Sequence, residues 1–260
     1  MSFRCLSLVL IAVLPCVAAE QRVLRVCADP NNMPFSNHRA EGFENKLAEM
    51  IAGKLDAKLE YTWWSERKSF IRNSLDQGRC EVVIGVPATL ESITATNPYY
   101  RSTYVFVSRD DRKLQITSLN DPRLANWRIG IHVVGDDYAP PAYALARRGI
   151  TSNITGFSLF GPYGDPNPPA KIIDAVTDGQ VDVAVVWGPF AGFFAKTAKA
   201  PLDVVPVSPA VFLGVPFTYD ISLGVRKGNG ALKTELDRVL ESQSGAIQQI
   251  LSEYGVPQVN

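Results

Sequence analysis

The feature that most constrains the fold is an alternation of apolar strands and amphipathic helices in the first half of the chain. The strand LRVCA is followed by a helix in which Phe43, Leu47 and Ile51 recur at helical spacing. The alternating strand LEYTWW, a second helix over residues 66–77 and the buried strand CEVVIGVP come next. Because helices separate the strands, this order predicts a parallel sheet with right-handed crossovers.

The same alternation begins again at Trp127, with the strand WRIGIHVV, a helix over residues 139–148, the helix KIIDAVTDGQ and the strand VDVAVVWG. Two further strands, in YVFVSRDDRK and TYDISLGVRKGN, predict a two-stranded hinge between the halves. We therefore expect an α/β protein with two lobes, each a mostly parallel sheet flanked by helices. Residues 20–106 plus 222–260 are assigned to lobe 1, and residues 107–221 to lobe 2.

The N-terminal segment MSFRCLSLVLIAVLPCVAA has one Arg, a short apolar run and a small-residue end. This pattern predicts a secretory signal peptide over residues 1–19, cleaved after Ala19. A membrane anchor is the alternative, but the apolar run is well short of the roughly 20 residues that a spanning helix needs. No later segment is long and apolar enough, so we expect export without membrane insertion.

The overall charge gives little information about partners, because the 26 basic residues match the 26 acidic ones. Such a balance produces no strong field that would attract nucleic acid or an anionic membrane surface. Recognition must therefore come from a local site.

Two of the four cysteines lie in the predicted signal peptide, which leaves Cys27 and Cys80 in the exported chain. A pair of cysteines in an oxidising compartment predicts a disulfide, and the bridge requires their strands to be neighbours. Two buried free thiols are the alternative. Metal binding is disfavoured, because only His38 and His132 could join the thiolates and neither has metal-site spacing.

The order of these elements, with GFENKLAEMIAGKL, GRCEVVIG, NPYYRSTYVFVS and SLGVRKGN, resembles the type II periplasmic solute-binding proteins of ABC importers. The linked segments VCADPNNMPFSN, YTWW, GRCEVVIGVPA and YYRSTYVFV resemble a narrower branch. That branch comprises the periplasmic binding-protein-like accessory proteins of quinoprotein methanol dehydrogenases. The resemblance spans the mature chain and implies a periplasmic location.

In this fold the loop after the first strand forms part of the wall of a cleft between the lobes. Ligands of open α/β sheets bind beyond the carboxyl ends of the strands. We therefore expect Asp29, Asn31, Asn32 and Phe35 to face the cleft; the alternative is that they only turn and cap the chain. By the same argument, further cleft residues are expected at Trp64, Lys68, Gly85, Pro87, Ser92, Gly135, Trp187 and Gly188.

Amino-acid receptors of the resembled family hold the ligand carboxylate with an Arg in a T-x-x-R segment and the amino group with an Asp in the second lobe. The matching positions are Ser92, in TLES, and Gly188. Asp136 and Asp137 in VVGDDYAPP would also repel a carboxylate, although they could instead pair with a helix dipole. The sequence therefore disfavours an amino-acid receptor.

Catalysis is not expected, because the two isolated histidines and the lack of a G-x-S-x-G segment offer no nucleophilic site. Proton transfer by an acid such as Asp29 or Glu91, as in dehydratases of the same fold, is the remaining enzymatic alternative.

The resemblance implies an accessory factor that docks on or activates a quinoprotein methanol dehydrogenase, whose cytochrome c is a further candidate partner. Pyrroloquinoline quinone and its calcium or lanthanide would belong to the dehydrogenase, and no cofactor is expected in this chain. The alternative is an importer receptor for a small ligand that is not an amino acid. The loop over residues 155–169 is a candidate docking loop or simple surface connection.

Overall fold

The computed structural model describes residues 21–66, 69–134, 137–160, 165 and 167–260. The predicted signal peptide and its cleavage site lie outside the described residues. Within the described ranges, no helix is both long and apolar enough to cross a membrane.

The helices are α1 Phe43–Lys54, α2 Phe70–Asn73, α3 Pro140–Arg147, α4 Lys171–Thr177, α5 Gly188–Ala195, α6 Gly230–Ser242 and α7 Ser244–Glu253. The strands are β1 Val23–Ala28, β2 Asn31–Asn32, β3 Ser36–Asn37, β4 Lys58–Trp63, β5 Val82–Pro87, β6 Thr94–Ala95, β7 Tyr100–Arg109, β8 Ile129–Val134, β9 Asp137–Tyr138, β10 Ile154–Ser158, β11 Val183–Trp187, β12 Leu202–Pro206, β13 Val211–Phe212, β14 Val215–Pro216 and β15 Thr218–Val225. Short 3-10 helices span Asp110–Arg112, Pro122–Ala125 and Pro168–Ala170.

The predicted α/β architecture with two lobes is confirmed. In lobe 1, β1 pairs in parallel with both β4 and β5. In lobe 2, β8 pairs in parallel with both β10 and β11. Helices flank both sets of strands, as expected where helical crossovers connect parallel strands.

Strands β7 and β15 join the two sets and run antiparallel to each other. Tyr100–Thr103 of β7 pair with residues 218–221 of β15, and Tyr104–Val107 pair with β11 of lobe 2. The second half of β15, at Ile221, Ser222, Gly224 and Val225, pairs with β5 of lobe 1. We propose that the chain enters lobe 2 at about residue 104, slightly before the sequence-based boundary at residues 106 and 107.

Helix α2 is much shorter than the helix predicted over residues 66–77. Ser69 has a φ of 79°, a left-handed conformation that does not continue a helix towards the N-terminus. At the other end, the hydroxyl of Ser74 donates to the Phe70 carbonyl oxygen at 2.6 Å. Residues 64–66 therefore form a loop directly after β4, and Glu66 lies in this loop and not in a helix.

Strand β10 falls in the segment that was predicted as a loop from residue 155. It lies at the edge of the sheet, beside β8. Three of its five residues are exposed: Thr155, Gly156 and Ser158. Exposed positions need no apolar side chains, so the sequence lacks the apolar pattern that would indicate a strand. This is typical of edge strands, for which burial on both faces is not required.

The predicted disulfide between Cys27 and Cys80 is present, with a Cα–Cα distance of 5.5 Å. Its strands are neighbours, since β1 pairs with β5 at Val26–Val82 and Cys27–Val83. The bridge lies in an apolar cluster with Phe70 and Leu75. It therefore fixes the strand that leads directly into the loop of Asp29.

A further contact lies away from the hinge strands, where α5 packs on the C-terminal end of α7 and on the chain that follows it. The rings of Phe193 and Tyr254 stack at 5.8 Å. The ammonium of Lys196 donates to the carbonyl oxygens of Ser252 at 3.2 Å and Glu253 at 2.6 Å. In the proposed division α5 belongs to lobe 2 and α7 to lobe 1, so this contact would join the lobes.

Candidate functional site

A cavity of about 200 Å³ lies between the lobes, and we call it the interlobe cavity. Lobe 1 contributes Asn32, Phe35, Glu44, Glu66 and Gly85. Lobe 2 contributes Val134, Leu159, Phe160, Trp187 and Phe190. Four of the sequence-predicted cleft residues thus come together here: Asn32, Phe35, Gly85 and Trp187.

Asp29 organises the loops that border the cavity. It is 4% exposed, and its carboxylate accepts hydrogen bonds from the backbone N–H of Asn31 at 2.8 Å and of Glu66 at 2.6 Å. The loop after β1 is thereby tied to the loop after β4. The Nδ2 of Asn31 donates to the carbonyl oxygen of Asp165 at 2.7 Å, which links the same loop to lobe 2.

Asn32 lines the cavity and has one side-chain acceptor without a partner. Its Nδ2 donates to Oε2 of Glu66 at 2.8 Å, and the side chain is only 3% exposed. Its Oδ1 is buried and has no hydrogen-bond donor among the described residues. A buried acceptor without a partner is costly, so this oxygen is a candidate contact for a bound group.

Glu44 lies in the first turn of α1 and reaches the backbone of β5 at Gly85. Gly85 has a φ of 78°, and a Cβ at this position would overlap Oε1 of Glu44. Glycine is therefore required both for the backbone conformation and for the approach of the carboxylate. Among the described residues, none donates a side-chain hydrogen bond to Glu44.

Sequence reasoning missed both Glu44 and Glu66. In the sequence, Glu44 is a polar position on an amphipathic helix, and Glu66 begins the helix predicted over residues 66–77. One signal was available, because a glycine within the apolar strand VVIGVP often marks a close approach by another group. It could have indicated a contact at Gly85 but not which residue makes it.

The two glutamates and Asp29 repel one another, and this raises the affinity of the glutamates for protons. The pKa of Glu66 is raised to about 7 by burial and by the charge of Asp29, against the opposing hydrogen bond from Asn32. The pKa of Glu44 is raised well above its usual range by burial, with added repulsion from Glu66 and Asp29. The pair therefore retains a proton near neutral pH.

We expect Glu66→Gln to stabilise the protein at about pH 8 and to leave it unchanged at about pH 3. At the lower pH, Glu66 is protonated in the folded and unfolded chains alike. Between about 4.5 and 7, the unfolded chain loses this proton before the folded chain does, so rising pH lowers the free energy of unfolding. The difference between variant and wild type should therefore grow through this window, measured by urea unfolding.

The comparison with wild type also removes the opposing contribution of His132. Burial lowers the pKa of His132 to about 4, so the folded state loses stability as pH falls below about 6.5. This contribution is the same in both proteins. Glu91→Gln, at an exposed position, is the matched control. If the free energy of unfolding of Glu66→Gln differed from that of wild type by the same amount at every pH, the raised pKa of Glu66 would be contradicted.

The remaining predicted residues lie outside the interlobe cavity or outside the described residues. Pro87 and Ser92 line a second cavity of about 390 Å³, which Glu66 and Gly85 also border. The ring of Trp64 lies beneath the guanidinium of Arg79, 4.9 Å from its carbon, and packs beside the disulfide. Lys68 and Gly135 lie outside the described residues.

Gly188 begins α5 directly after Trp187. A Cβ there would lie 2.6 Å from the carbonyl oxygen of Thr103 and 3.2 Å from Cγ of Pro257. The position therefore has no room for an acidic side chain in this structure. Within the described ranges, no group of three or more His, Cys, Asp or Glu residues is arranged to hold a metal ion.

Comparison with known proteins adds a family and several relatives. Residues 24–257 match the model of bacterial extracellular solute-binding proteins, family 3. Protein MoxJ of Methylorubrum extorquens is 32% identical over 247 residues, covering 90% of this chain and 81% of that protein.

Two crystal structures are similar over almost the whole chain. The periplasmic binding protein XoxJ from Methylobacterium extorquens AM1 has a TM-score of 0.75 and 36% identity, covering 92% of this chain and 100% of its own. MxaJ from Methlophaga aminisulfidivorans MPT has a TM-score of 0.80 and 27% identity, covering 91% of this chain and 100% of its own.

Proposed function

The chain belongs to the bacterial extracellular solute-binding proteins, family 3, and from this premise we propose that it is a periplasmic accessory protein of a quinoprotein methanol dehydrogenase. In this role it docks on or activates the dehydrogenase and acts by binding, without catalysis. The likeness to MoxJ, XoxJ and MxaJ along most of the chain supports the proposal. The dehydrogenase carries pyrroloquinoline quinone and its metal; its cytochrome c is a further candidate partner.

The observation that carries this proposal is the loss of the two charged positions by which amino-acid receptors of the fold hold their ligand. One position is Ser92, which lines the second cavity and not the interlobe cavity. The other is Gly188, where backbone of Thr103 leaves no room for a side chain. A chain that has kept the fold without these groups fits a protein-binding role better than amino-acid uptake.

Affinity capture tests the proposal. Tagged mature protein, residues 20–260, is incubated at physiological salt with periplasmic extract of methanol-grown cells, and the retained proteins are identified by mass spectrometry. Retention of a quinoprotein dehydrogenase subunit is the expected result. Retention of permease components without the dehydrogenase would overturn the proposal.

An importer receptor for a small ligand is the second candidate. It is favoured by the interlobe cavity, to which both lobes contribute side chains as in a closing ligand site. Permease retention in the same capture experiment would select it.

The absence of catalysis is tested separately, because Glu44 and Glu66 form a pair of carboxyl groups with raised pKa values. Such pairs can serve as general acids and bases. Purified protein is expected to leave a cyclohexadienyl substrate unchanged. Turnover that disappears in Glu66→Gln would contradict a role by binding alone.

A further inference from the structure

The large apolar side chains that are most exposed in the described part of the chain gather around helix α3. Tyr143 lies on α3, and Val211 and Leu213 lie in the hairpin formed by β13 and β14; the three are 48% to 58% exposed. The guanidinium of Arg147 on α3 donates to the carbonyl oxygen of Leu213 at 2.6 Å, so the helix and the hairpin are in contact. Exposed apolar side chains that cluster in this way mark interaction surfaces.

A groove of about 420 Å³ adjoins Tyr143, between α3 and the edge strand β10. Its lining is largely apolar and includes Tyr143 and Ala146 of α3, Val133 of β8, and Ile154 and Gly156 of β10. A Cβ at Gly156 would lie 2.8 Å from Cγ2 of Val133, so a side chain there would have to displace the valine. The described lining residues of this groove and of the interlobe cavity do not overlap, so the two sites are separate.

Strand β10 has one backbone edge available beside this groove. At its two ends, the carbonyl oxygen of Asn153 accepts from β8 and the N–H of Leu159 donates to β8, each at 2.9 Å. Backbone groups alternate in direction along a strand, so those of Ile154, Gly156 and Ser158 point away from β8. No described strand pairs with that edge. Such an edge is a template for a strand from another chain.

The C-terminal end of α3 is positively charged. Arg147 and Arg148 lie there, and residues 138–164 include no acidic residue. Asp136 and Asp137 precede the other end of the helix. The two guanidiniums donate to backbone carbonyl oxygens, and neither forms an ion pair with a described residue. A partner that brings a carboxylate would complement this charge, whereas a second copy docked by the same surface would add two more arginines.

From these observations we propose that the groove between α3 and β10 receives an extended segment of the dehydrogenase. The backbone of the segment pairs with the available edge of β10, and one of its apolar side chains enters the groove beside Tyr143. A carboxylate of the same segment pairs with Arg147. Docking of this segment rests on the proposed function, because the dehydrogenase is the partner.

An anionic membrane fits the same surface less well. Membrane-binding segments that act by charge carry about four to eight basic residues, and α3 brings two. A lipid surface also supplies no backbone groups that could pair with β10. A peptide segment supplies both the backbone groups and the side chain for the groove.

Hydrogen–deuterium exchange of the wild-type protein tests the strand pairing without any substitution. Peptides that cover β10 are compared between the free protein and its complex with purified dehydrogenase at about 0.15 M salt. We expect the amides of Gly156 and Ser158 to exchange at least about tenfold more slowly in the complex, because backbone pairing protects them. Unchanged exchange of β10 in the complex would overturn the proposal.

Substitutions test the groove and its charge by calorimetric titration of the dehydrogenase. Tyr143→Ser and Ser158→Pro should each weaken binding by at least about tenfold, since they remove an aromatic anchor and a backbone donor. Both residues are exposed, and proline is tolerated in edge strands, so the variants are expected to fold. Arg147→Gln should weaken binding by about threefold and reduce its salt dependence, whereas Arg238→Gln, at an exposed position of α6, should change neither.

Three results would overturn docking at the groove. Wild-type affinity in Tyr143→Ser and Ser158→Pro would put the contact elsewhere and leave the proposed function standing. Absence of any complex for the wild-type protein would contradict the proposed function itself, and the docking surface with it. Sedimentation of the wild-type protein with phosphatidylglycerol vesicles, lost in Tyr143→Ser, would assign the surface to a membrane and not to the dehydrogenase.

Discussion

Reduction of the Cys27–Cys80 disulfide is expected to lower the free energy of unfolding by about 4 kcal/mol. The bridge joins residues 53 positions apart, so it removes many conformations from the unfolded chain. For a protein of this size, the loss corresponds to a fall in melting temperature of about 10 °C. Urea unfolding of oxidised and reduced protein measures it without deleting any atom from the core.

The control for this experiment is Cys27→Ala/Cys80→Ala, whose unfolding should not respond to reductant. Both cysteines are buried, so the variant also reports the cost of losing their side chains. Equal urea midpoints for oxidised and reduced wild-type protein would contradict the stabilising role of the bridge.

The second large effect is expected for Gly192→Ala, at the contact between α5 and the chain after α7. A Cβ at residue 192 would overlap the carbonyl oxygen of Gly255 and lie 3.1 Å from Cδ of Pro257. Neither group can rotate away, so the helix and the C-terminal segment must separate. We expect a loss of about 3 kcal/mol in the free energy of unfolding, at the upper end of overpacking costs.

Gly53→Ala is the matched control, because Gly53 lies in α1 and a Cβ there has no neighbour within 4 Å. This substitution should stabilise the helix by up to about 1 kcal/mol. If Gly192→Ala unfolds at the same urea concentration as wild type, α5 and the C-terminal segment do not hold the lobes together as described.

The sequence predicted elements well where burial produces a clear period. Phe43, Leu47 and Ile51 are all buried on α1, within the helix that their spacing indicated. The disulfide was expected from the pair of cysteines in an exported chain, and the neighbouring strands that it requires, β1 and β5, are paired. These features depend on local pattern and on the rules that connect parallel strands.

The sequence-based predictions of secondary structure were wrong where the backbone conformation or a tertiary contact determines the element. The left-handed conformation of Ser69 shortens α2, and no residue type nearby announces it. The exposed Thr155 and Gly156 conceal the edge strand β10. Both are cases in which local composition gives no period to detect.

In the candidate site, residues at strand ends could be predicted from the sequence, whereas contacts between distant segments could not. Asn32, Phe35 and Trp187 were predicted as cleft residues because they lie at or after strand ends, and all three line the interlobe cavity. Glu44 reaches the cavity from a helix, through the space left by Gly85. That contact joins residues far apart in the chain and cannot be derived from either segment alone.

Association with a quinoprotein methanol dehydrogenase is the central proposal, and direct titration tests it most simply. Mature protein is titrated into the purified dehydrogenase of the same cells at about 0.15 M salt, and complex formation is followed by calorimetry and size-exclusion chromatography. We expect saturable binding and a co-eluting complex. No heat and no co-elution with the partners at about 100 μM, well above a micromolar dissociation constant, would contradict it.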